Sequence, residues 1–301
     1  MNTPTSSVSA PGSRYASVLR PGLFAGEIHV VTGGGSGIGR CVAHELAALG
    51  ATVILTGRTQ EKLDKVAAEI REDGGLVDTF TFDIRDDEQV KTAVAAMVAR
   101  HGRIHGLVNN AGGQFPAPLQ MISKRGFEAV VANNLTGGFL MAREVFNQSM
   151  QKHGGGAIVN MTADMWNGMP GMGHSGAARA GMANLTKTAA FEWSVANVRV
   201  NAVAPGWIAS SGMDSYGPAM AGIITQLKHN VPMRRMGLES EVSAVICFLL
   251  SPGAAFVTGI TVAIDGGAPL NSPIFPLADH APSTSYEGFH RAVLPKALQS
   301  D

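Results

Sequence analysis

Charge is scarce in this sequence. Asp, Glu, Lys and Arg make up 15% of the chain, and the 23 basic and 23 acidic residues cancel. No basic patch marks a nucleic-acid partner, and no acidic tail marks a basic one. Cysteine is scarcer still: Cys41 and Cys247 lie far apart, each inside an apolar pattern, and read as reduced core thiols rather than metal ligands. No apolar run approaches the length that spans a bilayer. The first twenty residues are polar and lack the charged start and apolar centre of a secretory signal. The terminal Ala297-Leu298-Gln299-Ser300-Asp301 is not a peroxisomal address. A cytoplasmic protein without membrane contact is the expectation.

What the chain does have is apolar side chain, 45% of its 301 residues, enough for one sizeable core. Short apolar strands alternate with longer helical patterns. Strands are expected at Ile28 to Val31, Thr52 to Thr56, Leu76 to Phe82, Ile104 to Val108, Ala157 to Met161, Val198 to Val203 and Ile260 to Ile264. Helices are expected at Gly37 to Leu49, Gln60 to Arg71, Asp86 to Arg100, and around 123–152 and 175–196. This alternation implies an α/β fold of the Rossmann type: a doubly wound parallel sheet with right-handed crossovers. Its ligand should lie beyond the strand carboxyl ends. Residues 1–22 read as a flexible arm and 23–267 as a single dinucleotide-binding domain. Within it, 206–236, rich in Gly, Met and Pro, read as a substrate lid. Residues 268–301 form a proline-rich tail able to wrap a neighbouring subunit.

Val30-Val31-Thr32 leads into Gly33-Gly34-Gly35-Ser36-Gly37-Ile38-Gly39, a strand, a glycine-rich turn and a helix start. Backbone amides can approach a pyrophosphate only where no Cβ intervenes, and a helix N-terminus adds unpaired N–H donors. The second strand ends Thr56-Gly57-Arg58. An acidic residue there would hold the ribose hydroxyls of NAD(H). Arg58 can instead grip a 2′-phosphate in a fork, so NADP(H) is favoured over NAD(H). Asp83 is placed to accept from an adenine amino group, although a turn aspartate would look the same.

Asn109-Asn110-Ala111-Gly112, Asn134-Leu135-Thr136-Gly137, Arg199-Val200-Asn201-Ala202-Val203-Ala204-Pro205-Gly206 and Asp265-Gly266-Gly267 follow the glycine loop in order. Together these resemble the short-chain dehydrogenase/reductase pattern over roughly residues 23–267. The run His174-Ser175-Gly176-Ala177-Ala178-Arg179-Ala180-Gly181, with Gly112-Gly113-Gln114-Phe115 and Pro276-Leu277-Ala278-Asp279-His280, resembles the peroxisomal trans-2-enoyl-CoA reductases. The 2,4-dienoyl-CoA reductases are the next most similar, and bacterial terpenoid-pathway members named alcohol or aldehyde dehydrogenases stand nearby. The resemblance implies that Gly33, Gly35, Ser36, Gly37 and Ile38 hold the pyrophosphate. It assigns Asp83 and Ile84 to the adenine and Asn110 to the adenosine ribose. Pro205, Gly206 and Ile208 fall to the nicotinamide side, and Asn134 to a water in a proton relay. It also implies a role in fatty acid metabolism and a homotetramer built through the two long helices.

One departure bears on the chemistry. Most family members carry Tyr-x-x-x-Lys at the start of the helix after the fifth strand, two side chains one turn apart. The lysine lowers the phenol pKa from roughly 10, making it a usable acid and base near neutrality. Here the matching pair is Ser175 and Arg179, and the upstream serine is replaced by Thr162, Ala163 and Asp164. None of the three tyrosines, Tyr15, Tyr216 and Tyr286, has a lysine four places on. Ketone reduction needs a positioned acid, and a serine hydroxyl is a poor one. Reduction of an enoyl thioester needs hydrogen-bond donation to an enolate oxygen and a proton at the α-carbon. Ser175 could donate that bond, and Arg179 could keep a fixed charge at the nicotinamide ribose. Asp164, His174, Tyr216 or water could supply the proton. Met161, Met165, Met169, Met172 and Met213 could line an acyl channel, or simply pack the core.

The expected function is therefore NADP(H)-dependent reduction of the C=C bond of a 2-enoyl-CoA, the substrate being a small-molecule acyl-CoA. The alternatives are an NAD(P)-dependent alcohol or carbonyl oxidoreductase with a non-standard proton donor, and a degenerate member that binds NADP(H) without redox turnover.

Overall fold

The computed structural model describes residues 14–216, 221–270, 274 and 277–299. Residues 1–13 of the arm, 217–220 of the lid, and 271–273, 275, 276, 300 and 301 of the tail lie outside the described residues. The chain runs β1 (Ile28–Thr32), α1 (Gly37–Ala48), β2 (Thr52–Gly57), α2 (Gln60–Glu72), β3 (Leu76–Thr81), α3 (Asp87–His101), β4 (Gly106–Asn109), α4 (Lys124–Val131) and α5 (Gly137–Val145). It continues through β5 (Gly156–Met161), α6 (Gly173–Glu192), β6 (Val198–Pro205), β7 (Ile208–Ala209), α7 (Ala221–Ile224), β8 (Gly237–Leu238), α8 (Glu239–Leu250) and β9 (Thr261–Ile264).

Seven strands form one parallel sheet in the order β3-β2-β1-β4-β5-β6-β9, while β7 and β8 pair apart from it. Successive strand residues point to opposite faces, and here both carry apolar side chains, so both faces are covered. Val31, Val53, Leu55, Val108, Val159 and Val203 pack with α1, α2 and α8. Val30, Ile54, Leu107, Ile158 and Val200 pack with α3, α5 and α6. Strand order reverses between β1 and β4, which opens a crevice above their carboxyl ends.

The strand at Ile104 begins two residues later than its apolar pattern predicts, because the Ile104 N–H donates to Ser149 Oγ (2.8 Å) instead of joining the ladder. The long pattern at 123–152 is interrupted by two five-residue π-helical turns, Ala132–Thr136 and Phe146–Met150. Part of the described tail packs on its own domain. Phe289 is buried beside Tyr15 and His44, His290 and Arg291 both bond Asp73, and Arg40 donates to the Arg291 carbonyl. Residues 14–19 of the arm are anchored by the same structure: Ala16 N–H donates to Gly288 O, and Tyr15 donates to the buried Glu45.

Candidate active site

Two cavities meet at the crevice. One, about 400 Å³, runs from the glycine loop across the ends of β2 and β3 to Arg179. The other, about 340 Å³, continues beneath residues 205–216. Arg179, Gln114, Tyr216, Met161, Ser210 and Ile38 border both.

Gly33, Gly35, Ser36, Gly37, Ile38, Arg58, Asp83, Ile84 and Asn110 all line the first cavity. The loop is built for close approach. Gly33 has φ +67°, and a Cβ on Gly39 would sit 2.5 Å from the Gly33 carbonyl oxygen. Asn110 pins the turn by donating to the Thr32 carbonyl (2.9 Å), and Thr32 Oγ1 accepts the Asn110 and Ala111 N–H groups. Lys62, which sequence reasoning missed, joins Arg58 on the same wall. Its place in the first turn of α2 is the signal that could have found it. Asp83 is gripped by Arg85, whose hydrogen bond holds the carboxyl below its usual range.

Glu239 opens α8 beneath the loop: a Cβ on Gly37 would meet Ser210 Oγ at 2.9 Å and Glu239 Oε1 at 3.9 Å. Burial raises the Glu239 carboxyl to about 6, and a hydrogen bond from Ser210 and the charge of Arg40 oppose only part of that. A carboxyl raised on folding destabilises the protein once ionised. That cost is absent below the unfolded value of 4.5 and complete above about 6. Glu239→Gln is therefore expected to add about 2 kcal/mol of stability near pH 7 and almost none near pH 4. Thermal denaturation at the two pH values checks this.

Pro205, Gly206, Ile208 and Asp164 line the second cavity, with Met161, Met169, Met172, Met213, Pro170 and Trp207 giving it a largely apolar wall. Met165 is buried but does not reach that wall. The Asp164 carboxyl is raised by burial and by the neighbouring Asp265.

Arg179 is buried and stands at the junction. Its Nη1 donates to the Met161 carbonyl (2.6 Å), its Nε has no partner, and among the described residues no carboxylate pairs with it. Burial pushes the guanidinium down to about 10, with only Tyr216 acting in the other direction. Gly112 makes room for it: a Cβ there would lie 2.7 Å from Arg179 Nη2 and 2.5 Å from Asn134 Oδ1.

Three of the candidate residues border neither cavity. Ser175 is fully buried and borders neither cavity; its Oγ donates to Gln114 Oε1 (3.2 Å). Asn134, in the first π-helical turn, is also turned inward. Its Oδ1 accepts the Gly113 N–H (3.0 Å), and its Nδ2 donates to the carbonyls of Gly113 (2.7 Å) and Val130 (3.1 Å). His174 is packed edge-on against Phe115, and its Nδ1 accepts the Ser175 N–H. Gln114, quoted in the sequence only as part of a loop, is the polar side chain that does reach both cavities, and its Nε2 donates to the Tyr216 hydroxyl (2.9 Å).

A family model described as Enoyl-(Acyl carrier protein) reductase matches residues 33–269. A Bacillus subtilis (strain 168) relative named "Probable 2,4-dienoyl-CoA reductase [(2E)-enoyl-CoA-producing]" is 35% identical over 80% of this chain and 96% of its own length. The 3-oxoacyl-[acyl-carrier-protein] reductase FabG of Thermotoga maritima is 38% identical over 80% of this chain and 97% of its own. Among solved structures, a citronellol catabolism dehydrogenase (AtuB) of Pseudomonas aeruginosa PAO1 is 63% identical, with TM-score 0.77, covering 84% of this chain and 99% of its own. No helix among the described residues is long and apolar enough to cross a membrane. With its parallel sheet, its glycine loop and these relatives, the chain belongs to the short-chain dehydrogenase/reductase family and is an NAD(P)(H)-dependent oxidoreductase.

Proposed function

We propose that this enzyme uses NADP(H) to reduce the carbon–carbon double bond of a 2-enoyl-CoA or a closely similar enoyl thioester. The observation that carries the reading is Arg179, a buried cation without a carboxylate partner among the described residues, at the junction of the two cavities. A fixed, buried donor of that kind can stabilise negative charge that develops on a reacting oxygen.

The first cavity fits the dinucleotide. Gly33, Gly35, Ser36, Gly37 and Ile38 would cradle the pyrophosphate, Asp83 and Ile84 would border the adenine, and Asn110 would lie beneath the ribose. Arg58, with Lys62, would hold the 2′-phosphate. Pro205, Gly206 and Ile208 would border the nicotinamide. When bound, the dinucleotide supplies a hydride. Its arrival at the β-carbon of an enoyl thioester sends the double-bond electrons toward the thioester oxygen. Arg179 would donate to that oxygen, and the α-carbon would then take a proton from a group in the second cavity, where Asp164 and Tyr216 both stand. The methionine-rich wall suits a flexible acyl chain. Relatives named 2,4-dienoyl-CoA reductases support the substrate class. The same reading includes the homotetramer and the cytoplasmic location expected from the sequence.

A second reading, an alcohol or carbonyl oxidoreductase, is favoured by the 63% identical dehydrogenase and by the Tyr216 hydroxyl beside Arg179. Steady-state NADPH consumption with 2-enoyl-CoAs of several chain lengths, run beside ketones and aldehydes, separates the two. Turnover of the enoyl-CoAs is expected; turnover of carbonyl compounds alone would overturn the proposal. Stoichiometric NADPH binding with no turnover would point to a member that only binds the dinucleotide.

A further inference from the structure

We infer that Tyr216 is the proton donor of the reaction and that Ser175 and Gln114 are positioning residues that aim its hydroxyl into the substrate cavity. The inference deepens the reading above and rests on it for the choice of substrate.

A fully buried hydroxyl must donate, and among the described residues the acceptor for Ser175 Oγ is Gln114 Oε1. This fixes which way the Gln114 amide points. Were it reversed, its NH₂ group would meet the serine oxygen and the serine proton would be left without an acceptor. With the amide so fixed, Gln114 Nε2 must donate to Tyr216. The phenol oxygen is thus an acceptor in the chain Ser175→Gln114→Tyr216, and its own proton is directed elsewhere. Among the described residues that O–H has no acceptor, and Tyr216 borders both cavities. The proton therefore faces the space that substrate would fill.

The support behind Gln114 is rigid. Asn134 staples both backbone polar groups of Gly113, the residue before it, and Gly112 has no room to shift toward a side chain. Arg179 and Tyr216 border the same two cavities. In the step itself the Tyr216 O–H bond breaks, its proton forms the C–H bond at the α-carbon of the enolate, and the phenolate takes a proton back from water. The oxidant and reductant are the enoyl thioester and the hydride donor, so no further reagent is needed. A phenol on the lid held by a serine and an amide thereby does the work that the family's Tyr-x-x-x-Lys pair does from α6.

The test is a mutant cycle read as kcat, with the dissociation constant of NADPH measured alongside. Tyr216→Phe is expected to lower kcat about a hundredfold. Ser175→Ala should lower it about fivefold to tenfold, the effect of one neutral hydrogen bond, and Ser175→Thr should restore most of that. Gln114→Glu should approach the Tyr216→Phe loss, because a carboxylate accepts the phenol proton and turns it away from substrate. NADPH binding should change less than about twofold in the two Ser175 variants, since Ser175 borders neither cavity. The decisive arm is Ser175→Ala added to Tyr216→Phe, which should cost nothing further. A serine that touched substrate itself would retain its full effect there, and additive losses, or an active Tyr216→Phe, would overturn the inference. The cycle is run on an enoyl-CoA and on a ketone. Turnover of the ketone alone sinks the substrate proposal, while the cycle on that ketone still decides the role of Tyr216. Turnover of neither overturns both.

Discussion

Arg179→Met is expected to leave about a hundredth to a thousandth of wild-type turnover while making the protein more stable. The two effects have one cause. In the resting protein the guanidinium is buried, bonded to the Met161 carbonyl through Nη1 and unpaired at Nε. Burial lowers it from its ordinary value to about 10, a destabilisation of about 3 kcal/mol that is present at every pH below that value. Methionine keeps most of the volume and removes the charge, at the loss of one hydrogen bond of about 1 kcal/mol. A net gain near 2 kcal/mol should raise the thermal midpoint by a few degrees. In the proposed reaction the same charge would face the developing enolate, where a missing donor costs about 3–4 kcal/mol, or two to three orders of magnitude in kcat. Steady-state kinetics beside thermal unfolding would check both signs. Loss of activity with loss of stability would mean that Arg179 only holds the loop after β5 in place.

The second large effect concerns the cofactor. Arg58 is exposed at the end of β2 and lines the first cavity opposite the glycine loop. A guanidinium bonded to a 2′-phosphate contributes about 1.5–3 kcal/mol, so Arg58→Ala should weaken NADPH binding by about one to two orders of magnitude. NADH, which lacks that phosphate, should bind as before. Lys62 on the same wall would retain part of the preference, so the double variant with Lys62→Ala should bind the two dinucleotides almost equally. Unchanged NADPH affinity in Arg58→Ala, measured by fluorescence titration, would remove the basis for the NADP(H) assignment.

Much of this architecture is visible in the residue order, because it follows from local periodicity. The apolar strands and the 3.6-residue patterns between them predict the parallel sheet, and the observed order places the reversal between β1 and β4. The glycine loop could be read because its chemistry is backbone chemistry at consecutive positions. All the residues expected to touch the dinucleotide, from Gly33 to Ile208, do line the two cavities. The orientation of Ser175 was not legible. It stands at the expected place in α6, yet its partner Gln114 is 61 residues away in sequence, and only the packing of two loops turns the hydroxyl from the cavity to the amide. The contacts of Asn134 were likewise not legible, because the π-helical turn that holds it brings its side chain to the backbone of Gly113. The packing of the tail was not legible for a similar reason: Asp73, at the end of α2, meets His290 and Arg291 more than two hundred residues later.

In the proposed reaction hydride reaches the β-carbon of a C=C bond rather than a carbonyl carbon, with Arg179 holding the oxygen. NADPH deuterated at the transferring position, incubated with a 2-enoyl-CoA and the product examined by mass spectrometry and NMR, tests it directly. The account predicts one deuterium at the β-carbon of a saturated thioester, with the α-carbon proton drawn from solvent. Deuterium on a carbinol carbon, with the double bond intact, would contradict it.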